Sequence, residues 1–313
     1  MKDFWKSRVK SYILYRRQLG FDLKFEAGLL ESFAQFAEKH DTHDRLTIDL
    51  CIRWAKSSKR QSYWTWERRL ATLRGLAKYL RRQDPSNEIP SLGMFGPTRR
   101  RLTPHIFTEA ELVMLLQSTD HLKSQGGLRA ATCRALFGLL SATGLRISEA
   151  IGLTQADVDF DNGLLTIRGA KRHYARVIPM HLTVTTALRE YASFRDRRMP
   201  KKPEASFFIF DNGAPANRRV VLYALRSLCK QLNLLPRSDY RKHRLHDFRH
   251  TFVVRSAMQA HRNGVDVDKQ ILTLSKYVGH VKVADTYWYF TSTPELMSVA
   301  AERFYRFAQG GVE

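Results

Sequence analysis

Residues 158–180 read VDFDNGLLTIRGAKRHYARVIPM, and they decide the fold class because they interrupt a chain whose apolar pattern is otherwise helical. An Asp-Asn-Gly turn at 161–163 is flanked by short runs of β-prone residues, and a second turn, rich in cations, precedes Arg176. Turns of this kind between such runs are typical of β-hairpins. We therefore expect a mainly α-helical protein that contains one small antiparallel β-sheet.

Helical spacing of apolar residues dominates on both sides of this stretch. Residues 4–82 have the period of about four helices, with Thr47 placed to cap the third. Thr108 and Glu111 have the spacing of a capping box, which predicts the start of another helix. Helical spacing returns near Leu182 and continues to the C-terminal end.

Residues 84–103 break the helical pattern. They concentrate proline, glycine and serine and include a run of arginines near their end, a composition typical of a linker. We predict an all-helical domain over residues 1–83 and an α-rich domain with the small sheet over residues 104–313, joined by this linker.

The chain is strongly basic: 52 lysine and arginine residues stand against 30 aspartate and glutamate residues, for a formal net charge of +22. Such a charge attracts phosphate polyanions, so a nucleic acid is the expected partner, although ribosomal and membrane-surface proteins share this property. Several cations lie on the predicted exposed face of the fourth helix, in the linker or in the cationic turn, where they are either merely solvated or grip phosphates. The cations expected to bind phosphates are Arg68, Arg69, Arg74, Arg99, Arg100, Arg101 and Arg172.

The cysteines and the apolar pattern favour a soluble protein of the cytoplasm. Cys51, Cys133 and Cys229 are far apart and form no CxxC pair, which fits reduced thiols. The charged start of the chain and the lack of an apolar run of ~18 residues argue against a signal peptide, a transmembrane span and a membrane partner.

Four separated segments together supply two arginines, a lysine, two histidines and a tyrosine. They are TGLRISE at 143–149, GAKRHYARVIP at 169–179, HDFRH at 246–250 and YVGHVKVADTYWYF at 277–290. Glu149 lies three residues after Arg146, so its carboxylate is placed to hold the guanidinium. Helical spacing puts His246 and Arg249 on one face, with His250 one turn beyond His246.

These residue types match the needs of phosphodiester cleavage without a metal ion. Arginine forks bind two phosphate oxygens at once, and further donors stabilise the charge that grows in the transition state. A lysine surrounded by positive charge can give a proton to the leaving oxygen. A tyrosine phenol can act as the nucleophile.

Jointly, these segments, with a tyrosine nine residues after the histidine of Val-Gly-His, resemble the phage-integrase or tyrosine-recombinase family. The resemblance covers the chain from about Thr108 to its end. It extends more weakly to the helical N-terminal domain, which is similar to the family's core-binding domain that clamps DNA. It implies a site-specific recombinase that acts on double-stranded DNA with no cofactor, neither ATP nor a metal ion.

Carried over by position, the resemblance implies that Arg146 and Arg249 clamp the scissile phosphate. His246 and His280 are implied to donate hydrogen bonds or move protons. Tyr289 is implied to attack phosphorus and form a 3′-phosphotyrosyl intermediate, which a 5′ hydroxyl of another strand then reverses.

Two of the implied assignments depend on register. Lys171 is implied to be the general acid that protonates the leaving 5′ oxygen; Arg172 is a competing cation, but counting five residues back from Arg176 selects Lys171. The spacing from the Val-Gly-His histidine favours Tyr289 over Tyr287 as the nucleophile. Taken alone, an aromatic cluster of this kind is more often packed core.

Supporting positions beside the two arginines are implied for Glu149 and His250. The spacing of His243, His246 and His250 is also compatible with a metal site. Asp247 is the only carboxylate close by in sequence and points off their face, so no metal is expected.

The resemblance also implies partners. We expect a homo-tetramer on paired DNA sites, with weaker association in free solution and with exchange of a C-terminal helix between subunits. The alternative is that this helix packs on its own domain. Its apolar face consists of Leu296, Val299, Ala300, Phe304 and Phe307.

Residues 285–297, DTYWYFTSTPELM, are similar to integrases carried in multi-recombinase mobile elements. This resemblance implies transposition or integration of such an element, alongside sister recombinases. Two other functions stay open at this point: a type IB topoisomerase-like enzyme that rejoins the original ends, and a DNA-binding protein without catalysis.

Overall fold

A computed structural model of the chain describes residues 3–40, 44–97, 102–124, 126–168, 175–199, 205–265, 267–280, 282–284, 286, 288, 297, 301, 305 and 309. The chain divides into two compact units, Met1–Arg101 and Leu102–Glu313. It is mainly helical and has one small antiparallel sheet, which confirms the fold class expected from the sequence. No helix in the described part of the chain combines the length and apolarity needed to cross a membrane.

The first unit packs its helices around an aromatic core. Its helices are α1 (Phe4–Gln18), α2 (Glu26–His40), α3 (Ile48–Lys56) and α4 (Tyr63–Arg81). The ring of Phe33 meets those of Trp5 and Trp54 edge to face, with centroids 5.5 and 5.4 Å apart. Thr47 caps α3 as predicted, because its hydroxyl accepts a hydrogen bond from the amide of Leu50 at 3.2 Å.

The predicted exposed basic face of α4 is wrong for two of its arginines. Arg69 and Arg74 are each only 8% exposed. The guanidinium of Arg69 lies 4.0 Å over the ring of Trp54, and Arg74 binds the buried carboxylate of Glu67. Arg68 remains exposed, as expected, while Arg99, Arg100, Arg101 and Arg172 lie outside the described residues.

Arg69 and Arg74 are buried because the chain after α4 turns back over that helix. Arg74 donates to the carbonyl of Ser91 at 2.6 Å, and Glu67 accepts from the amides of Gly93 and Phe95 at 3.1 and 3.0 Å. Farther back in this segment, Asn87 accepts from the amide of residue 46 at 2.8 Å. Much of the sequence predicted as a linker is therefore bonded to the first unit.

The second unit surrounds its small sheet with helices. The helices are α5 (Glu109–Gln117), α6 (Leu128–Thr143), α7 (Ile147–Ile151), α8 (Leu182–Asp196), α9 (Arg218–Gln231), α10 (His246–Arg262) and α11 (Val267–Val278). Short 3-10 helices cover Ser118–His121 and Gln155–Asp157. The strands are β1 (Val158–Asp159), β2 (Leu164–Ile167) and β3 (Arg176–Pro179).

The sheet follows from the turn that the sequence predicts. The strands are antiparallel in the order β1-β2-β3, and the turn between β1 and β2 contains Gly163 at φ +64°. Ile167 pairs with Arg176 at the end of the second hairpin that adjoins the connecting turn. Residues 169–174, the cationic turn between β2 and β3, lie outside the described residues.

Helix α10 runs through the core of the second unit. Phe248 is fully buried, and its ring stacks on Phe107 and Phe137 with centroids 5.1 and 5.4 Å apart. Thr251 accepts a hydrogen bond from the amide of Phe107 at 2.9 Å. These contacts fix the N-terminal turns of α10, where the His-Asp-Phe-Arg-His segment lies.

Candidate active site

Arg146 is held at the start of α7 by Glu149. The amide of Arg146 donates to Glu149 Oε2 at 2.9 Å, and its Nη1 donates to Oε1 at 2.9 Å. The bend before this arginine contains Gly144 at φ +61°, where a Cβ atom would lie 2.4 Å from Cδ1 of Phe252. The turn therefore requires glycine, and the guanidinium is oriented by the carboxylate, as the spacing of the two residues predicts.

Glu149 also binds a second arginine, Arg176 of β3. The two terminal nitrogens of Arg176 donate to Oε1 and Oε2 of Glu149 at 3.1 and 2.8 Å. Burial by itself would raise the pKa of Glu149, but the hydrogen bond from Arg176, the amide of Arg146 and the charges of both arginines lower it. Glu149 is thus an anion shared by two cations.

Three arginines meet at the turn that follows α11. Each arginine donates a hydrogen bond to one of three consecutive carbonyl oxygens. Arg176 Nε donates to that of residue 277 at 3.3 Å, Arg249 Nη2 to that of residue 278 at 2.7 Å, and Arg146 Nη2 to that of residue 279 at 3.0 Å. This turn carries the backbone directly to His280. The Arg-Ile-Ser-Glu and Val-Gly-His segments, far apart in sequence, are therefore in contact.

Arg249 is the buried arginine of the cluster, with 1% of its surface exposed. Its Nη1 donates to the carbonyl of Gly144 at 2.9 Å, while Nη2 reaches the turn after α11. It thus ties α10 to the bend that precedes Arg146. The buried guanidinium of Arg249 and that of Arg146, whose side chain is 39% exposed, thus both bind the turn after α11.

The histidines of α10 lie beside these arginines. The rings of His246 and His250 meet edge to face, with centroids 4.6 Å apart. His246 is exposed at the surface, and desolvation, followed by the charges of Arg249, Arg244 and other arginines, lowers its pKa to about 4. Burial, then His246 and neighbouring arginines, lowers the pKa of His250 well below its ordinary value.

His280 completes the cluster from the other side. Its Nδ1 shares a hydrogen bond with Thr286 Oγ1 at 2.7 Å. Burial, followed by the charges of Arg249 and Arg146, lowers the pKa of His280 to about 3. At neutral pH both His246 and His280 are therefore neutral rings, able to donate one hydrogen bond and accept another.

The structure brings together most of the residues that the sequence singles out. Those in the cluster are Arg146, Glu149, His246, Arg249, His250 and His280. Lys171, Tyr289 and the competing Tyr287 lie outside the described residues. Trp288, which stands between the two tyrosines in sequence, has its ring centroid 5.8 Å from that of His250.

The metal site considered for the three histidines of the 243–250 segment does not form. His243 turns away from the cluster: its Nε2 lies 3.1 Å from the carbonyl of Leu234, and its ring packs against His105 and Phe107. In the part of the chain that the structure describes, no group of three His, Cys, Asp or Glu side chains is placed to hold a metal ion.

The cluster suits a phosphate group chemically. Its three arginines face a single carboxylate, Glu149, which leaves an excess of positive charge, and His246 and His280 are neutral hydrogen-bonding groups. Arg176 also belongs to it, although the sequence pattern points to this residue only as the position from which Lys171 is counted. In the sequence, the signal that could have identified Arg176 is its position at the start of a strand, directly after a cationic turn.

Comparison with known proteins identifies the family. Residues 105–295 match the phage integrase family. A Sinorhizobium fredii protein that carries the name integrase/recombinase y4rB is 36% identical over 308 residues, covering 96% of this chain and 97% of that protein. The tyrosine recombinase XerD of Halalkalibacterium halodurans is 29% identical over 224 residues, covering 71% of this chain and 69% of XerD.

Solved structures share the fold. The Tn1549 transposon integrase in complex with transposon right end DNA has a TM-score of 0.67 at 20% identity, over 96% of this chain and 99% of that one. The relatives are recombinases and integrases, which favours recombination over the topoisomerase-like alternative. The chain therefore belongs to the phage integrase family, and it is a tyrosine-type site-specific recombinase that acts on DNA.

Proposed function

We propose that this recombinase cuts and rejoins DNA at the cluster around Arg146, with Tyr289 as the nucleophile. The observation that carries the proposal is the meeting of Arg146, Arg249, His246 and His280 within one unit, at a site with excess positive charge. A phosphate diester is the anion that two arginine forks and neutral donors fit.

In the proposed reaction, Arg146 and Arg249 bind the non-bridging oxygens of the scissile phosphate. The phenol oxygen of Tyr289 attacks phosphorus and its proton passes to a neutral histidine of the cluster, while the bond from phosphorus to the 5′ oxygen breaks and Lys171 gives that oxygen a proton. The DNA is left with a 3′-phosphotyrosyl bond and a free 5′ hydroxyl. Attack by a 5′ hydroxyl of another strand releases the tyrosine and completes the exchange.

The histidines are proposed to stabilise the phosphate as its charge grows. A neutral imidazole can donate a hydrogen bond to a phosphoryl oxygen or pass a proton. Burial, followed by the charges of neighbouring arginines, lowers the pKa values of His246 and His280, and an anionic phosphate beside these groups favours their protonated forms. We propose that Glu149 and His250 hold the reacting groups in place.

The assignment of Tyr289 is supported by its neighbours in the chain. Thr286 bonds to His280 at 2.7 Å, and Trp288 contacts His250. The segment that leads into Tyr289 is thereby attached to the cluster at two points. Tyr287 precedes the same tryptophan, so the choice between the two phenols needs a direct test.

We further propose the assembly and the biological role. Residues 1–83 form the main part of the domain that clamps DNA, residues 84–103 lead from it to the second unit with much of their length bonded to the first, and residues 104–313 form the catalytic domain. The recombinase works as a homo-tetramer on paired sites, with exchange of the C-terminal helix, whose apolar face lies outside the described residues. It integrates or transposes a mobile element, alongside sister recombinases.

The reaction is tested with a nicked suicide duplex from the ends of the element that encodes the chain. Denaturing electrophoresis should show a covalent protein–DNA band with wild type and with Tyr287→Phe, and no such band with Tyr289→Phe. A band that disappears with Tyr287→Phe instead would move the nucleophile to that residue. Absence of the band from the wild type on cognate ends would refute the proposal.

The assembly is tested separately, by measuring the mass of complexes on DNA that carries two sites. We expect four protein subunits on two sites, and a smaller assembly for a chain truncated before Leu296. Full strand exchange by a complex that holds a single subunit per site without contact between them would contradict the proposed tetramer.

A further inference from the structure

Arg176 has more charged and backbone contacts than its place in the sequence suggests. It begins β3 and has 23% of its side chain exposed. Its guanidinium donates to both oxygens of Glu149, to the carbonyl of Tyr277 at 3.3 Å and to the carbonyl of Val278 at 3.4 Å. Three separate elements, β3, α7 and the end of α11, are thus joined by one side chain.

The donors of Arg176 point at the protein itself. A guanidinium is planar and offers its hydrogens in a fixed fork, so a side chain that binds a carboxylate with both terminal nitrogens has a set orientation. Because Glu149 binds Arg146 on the same two oxygens, the positions of the two guanidiniums are coupled. A shift of Arg176 would be passed through Glu149 to Arg146.

The turn after α11 closes directly onto this guanidinium. Gly279 has φ +70°, and a Cβ atom there would lie 2.8 Å from Nη1 and 2.9 Å from Cζ of Arg176. The backbone that leads to His280 is therefore packed against Arg176 as well as bonded to it. The absence of a side chain at residue 279 is what allows this approach.

We propose that Arg176 is a positioning residue for DNA cleavage, which fixes Arg146 through Glu149 and fixes the turn that carries His280 through the carbonyls of residues 277 and 278. Because it lies in β3, it also attaches both to the strand that follows the segment containing Lys171. This inference deepens the proposed function and rests on it. Arg176 itself does not touch the phosphate in this scheme.

The first test compares Arg176→Gln with Arg176→Lys in single-turnover cleavage of the suicide duplex. Misplacement of a reacting group by about 1 Å costs roughly 100-fold in rate. We therefore expect Arg176→Gln to lower the cleavage rate at saturating DNA by about 10- to 100-fold, while the DNA dissociation constant changes less than about threefold. Lysine keeps the charge but loses the fork, so Arg176→Lys should recover only part of the rate.

The matched control is Arg189→Gln, because Arg189 is an exposed arginine of α8 that pairs with Asp161 away from the cluster. Its cleavage rate should equal that of the wild type. Thermal unfolding of all variants shows whether each remains folded at the assay temperature. A wild-type cleavage rate at saturating DNA for folded Arg176→Gln would overturn the inference.

A double variant tests the route through Glu149. If Arg176 acts on Arg146 through this carboxylate, the rate loss of Glu149→Gln/Arg176→Gln should be smaller than the product of the two single losses. Losses that multiply fully would show that the two residues act independently, and would overturn the coupling.

A measurement without DNA separates this inference from the proposed function. In NMR spectra of the full chain, Arg176→Gln should shift the amide signals of residues 277–280 and raise the pKa of His280, because a nearby positive charge is removed. Arg189→Gln should do neither. If the wild type formed no covalent complex, the proposed function would fail while this experiment still tested the positioning. Unchanged signals in Arg176→Gln would overturn the positioning.

Discussion

His246 and His280 lie among arginines, yet their pKa values of about 4 and about 3 leave both rings neutral at physiological pH. Each is held in that state by burial and by the arginines next to it. In the proposed reaction, the arginines that attract phosphate also help to keep the imidazoles unprotonated before it arrives. Binding of DNA should make both rings more basic, because the added negative charge offsets the guanidiniums.

Lowered histidine pKa values predict a stability that declines in mild acid. Burial, followed by His243 and Arg237, lowers the pKa of His105 to about 4. The unfolded chain takes up protons near pH 6.5, before the folded chain does, so the free energy of unfolding should fall as pH drops from about 6.5 toward 4. His105 alone contributes on the order of 3 kcal/mol across this window.

Urea denaturation between pH 7.5 and 4.5 measures this decline. A His105→Asn variant, which removes one of the groups, should lose less stability over the same interval than the wild type does. A wild-type free energy of unfolding that stayed constant from pH 7 to pH 5 would contradict the pKa shifts.

At Gly279, the addition of a single methyl group should lower the free energy of unfolding. At Gly279 the left-handed backbone costs a non-glycine residue about 1–2 kcal/mol, and the new Cβ atom would also meet Arg176. We expect Gly279→Ala to destabilise the chain by roughly 1–3 kcal/mol and to slow cleavage. Gly138→Ala is the control, because Gly138 lies in α6 with no atom within 4 Å of an added Cβ.

Urea denaturation and the suicide-duplex assay provide both readouts. Gly138→Ala should raise stability by about 0.5–1 kcal/mol, since alanine favours helix more than glycine does. Equal effects of the two substitutions would show that the approach of the turn to Arg176 is not restrictive.

At the scale of elements, α4 places arginines of one helix in different environments. Arg68 is exposed, with its guanidinium 4.2 Å over the ring of Phe25. Arg74 is buried on Glu67 and on the carbonyls of the segment that follows the helix. An exposed arginine is available to a ligand, whereas an arginine that neutralises a buried carboxylate stabilises the fold.

Substitution of Arg74 should therefore lower stability, whereas substitution of Arg68 should affect DNA binding. Arg74→Gln leaves the carboxylate of Glu67 buried without its cation, which costs about 3–5 kcal/mol. Arg68→Gln should leave the free energy of unfolding within about 0.5 kcal/mol of the wild type and weaken DNA binding. Urea denaturation and a DNA titration distinguish the two variants. A stable Arg74→Gln chain with weakened DNA binding would contradict a structural role for Arg74.

At the scale of the whole molecule, the net charge of +22 predicts strong salt dependence of DNA binding. A protein that contacts six to ten phosphates loses roughly 10³- to 10⁵-fold in affinity between 50 and 200 mM salt, because bound counterions are released from the DNA. We expect a loss of about 10³-fold or more for this chain, measured by fluorescence anisotropy. An affinity that changed less than about tenfold would show that few phosphates are contacted.

Sequence reasoning succeeded where the partners of a residue are its near neighbours. The capping box of Thr108 and Glu111 forms as its spacing predicts, and so does the pair of Arg146 and Glu149 three residues apart. The arginine and histidine segments could be grouped only because they resemble a known family. No local rule brings α10 to the turn after α11.

It failed where distant segments decide the environment. Arg74 is buried by backbone 16 and 17 residues farther along the chain, which helical periodicity does not reveal. The contacts of Arg176 span 27 residues to Glu149 and 101 residues to Tyr277. A pattern within one strand shows a cation there but not the acceptors that fold against it.

Two guanidiniums share the carboxylate of Glu149. This sharing limits the order in which substitutions can accumulate at the site during evolution. Replacement of Arg176 first leaves Glu149 paired with Arg146, so we expect such a chain to be a folded but slower enzyme. Replacement of Glu149 first leaves two neighbouring cations with no counter-ion. Descendants that retain glutamate at position 149 without arginine at 176 should therefore be commoner than those with the opposite combination.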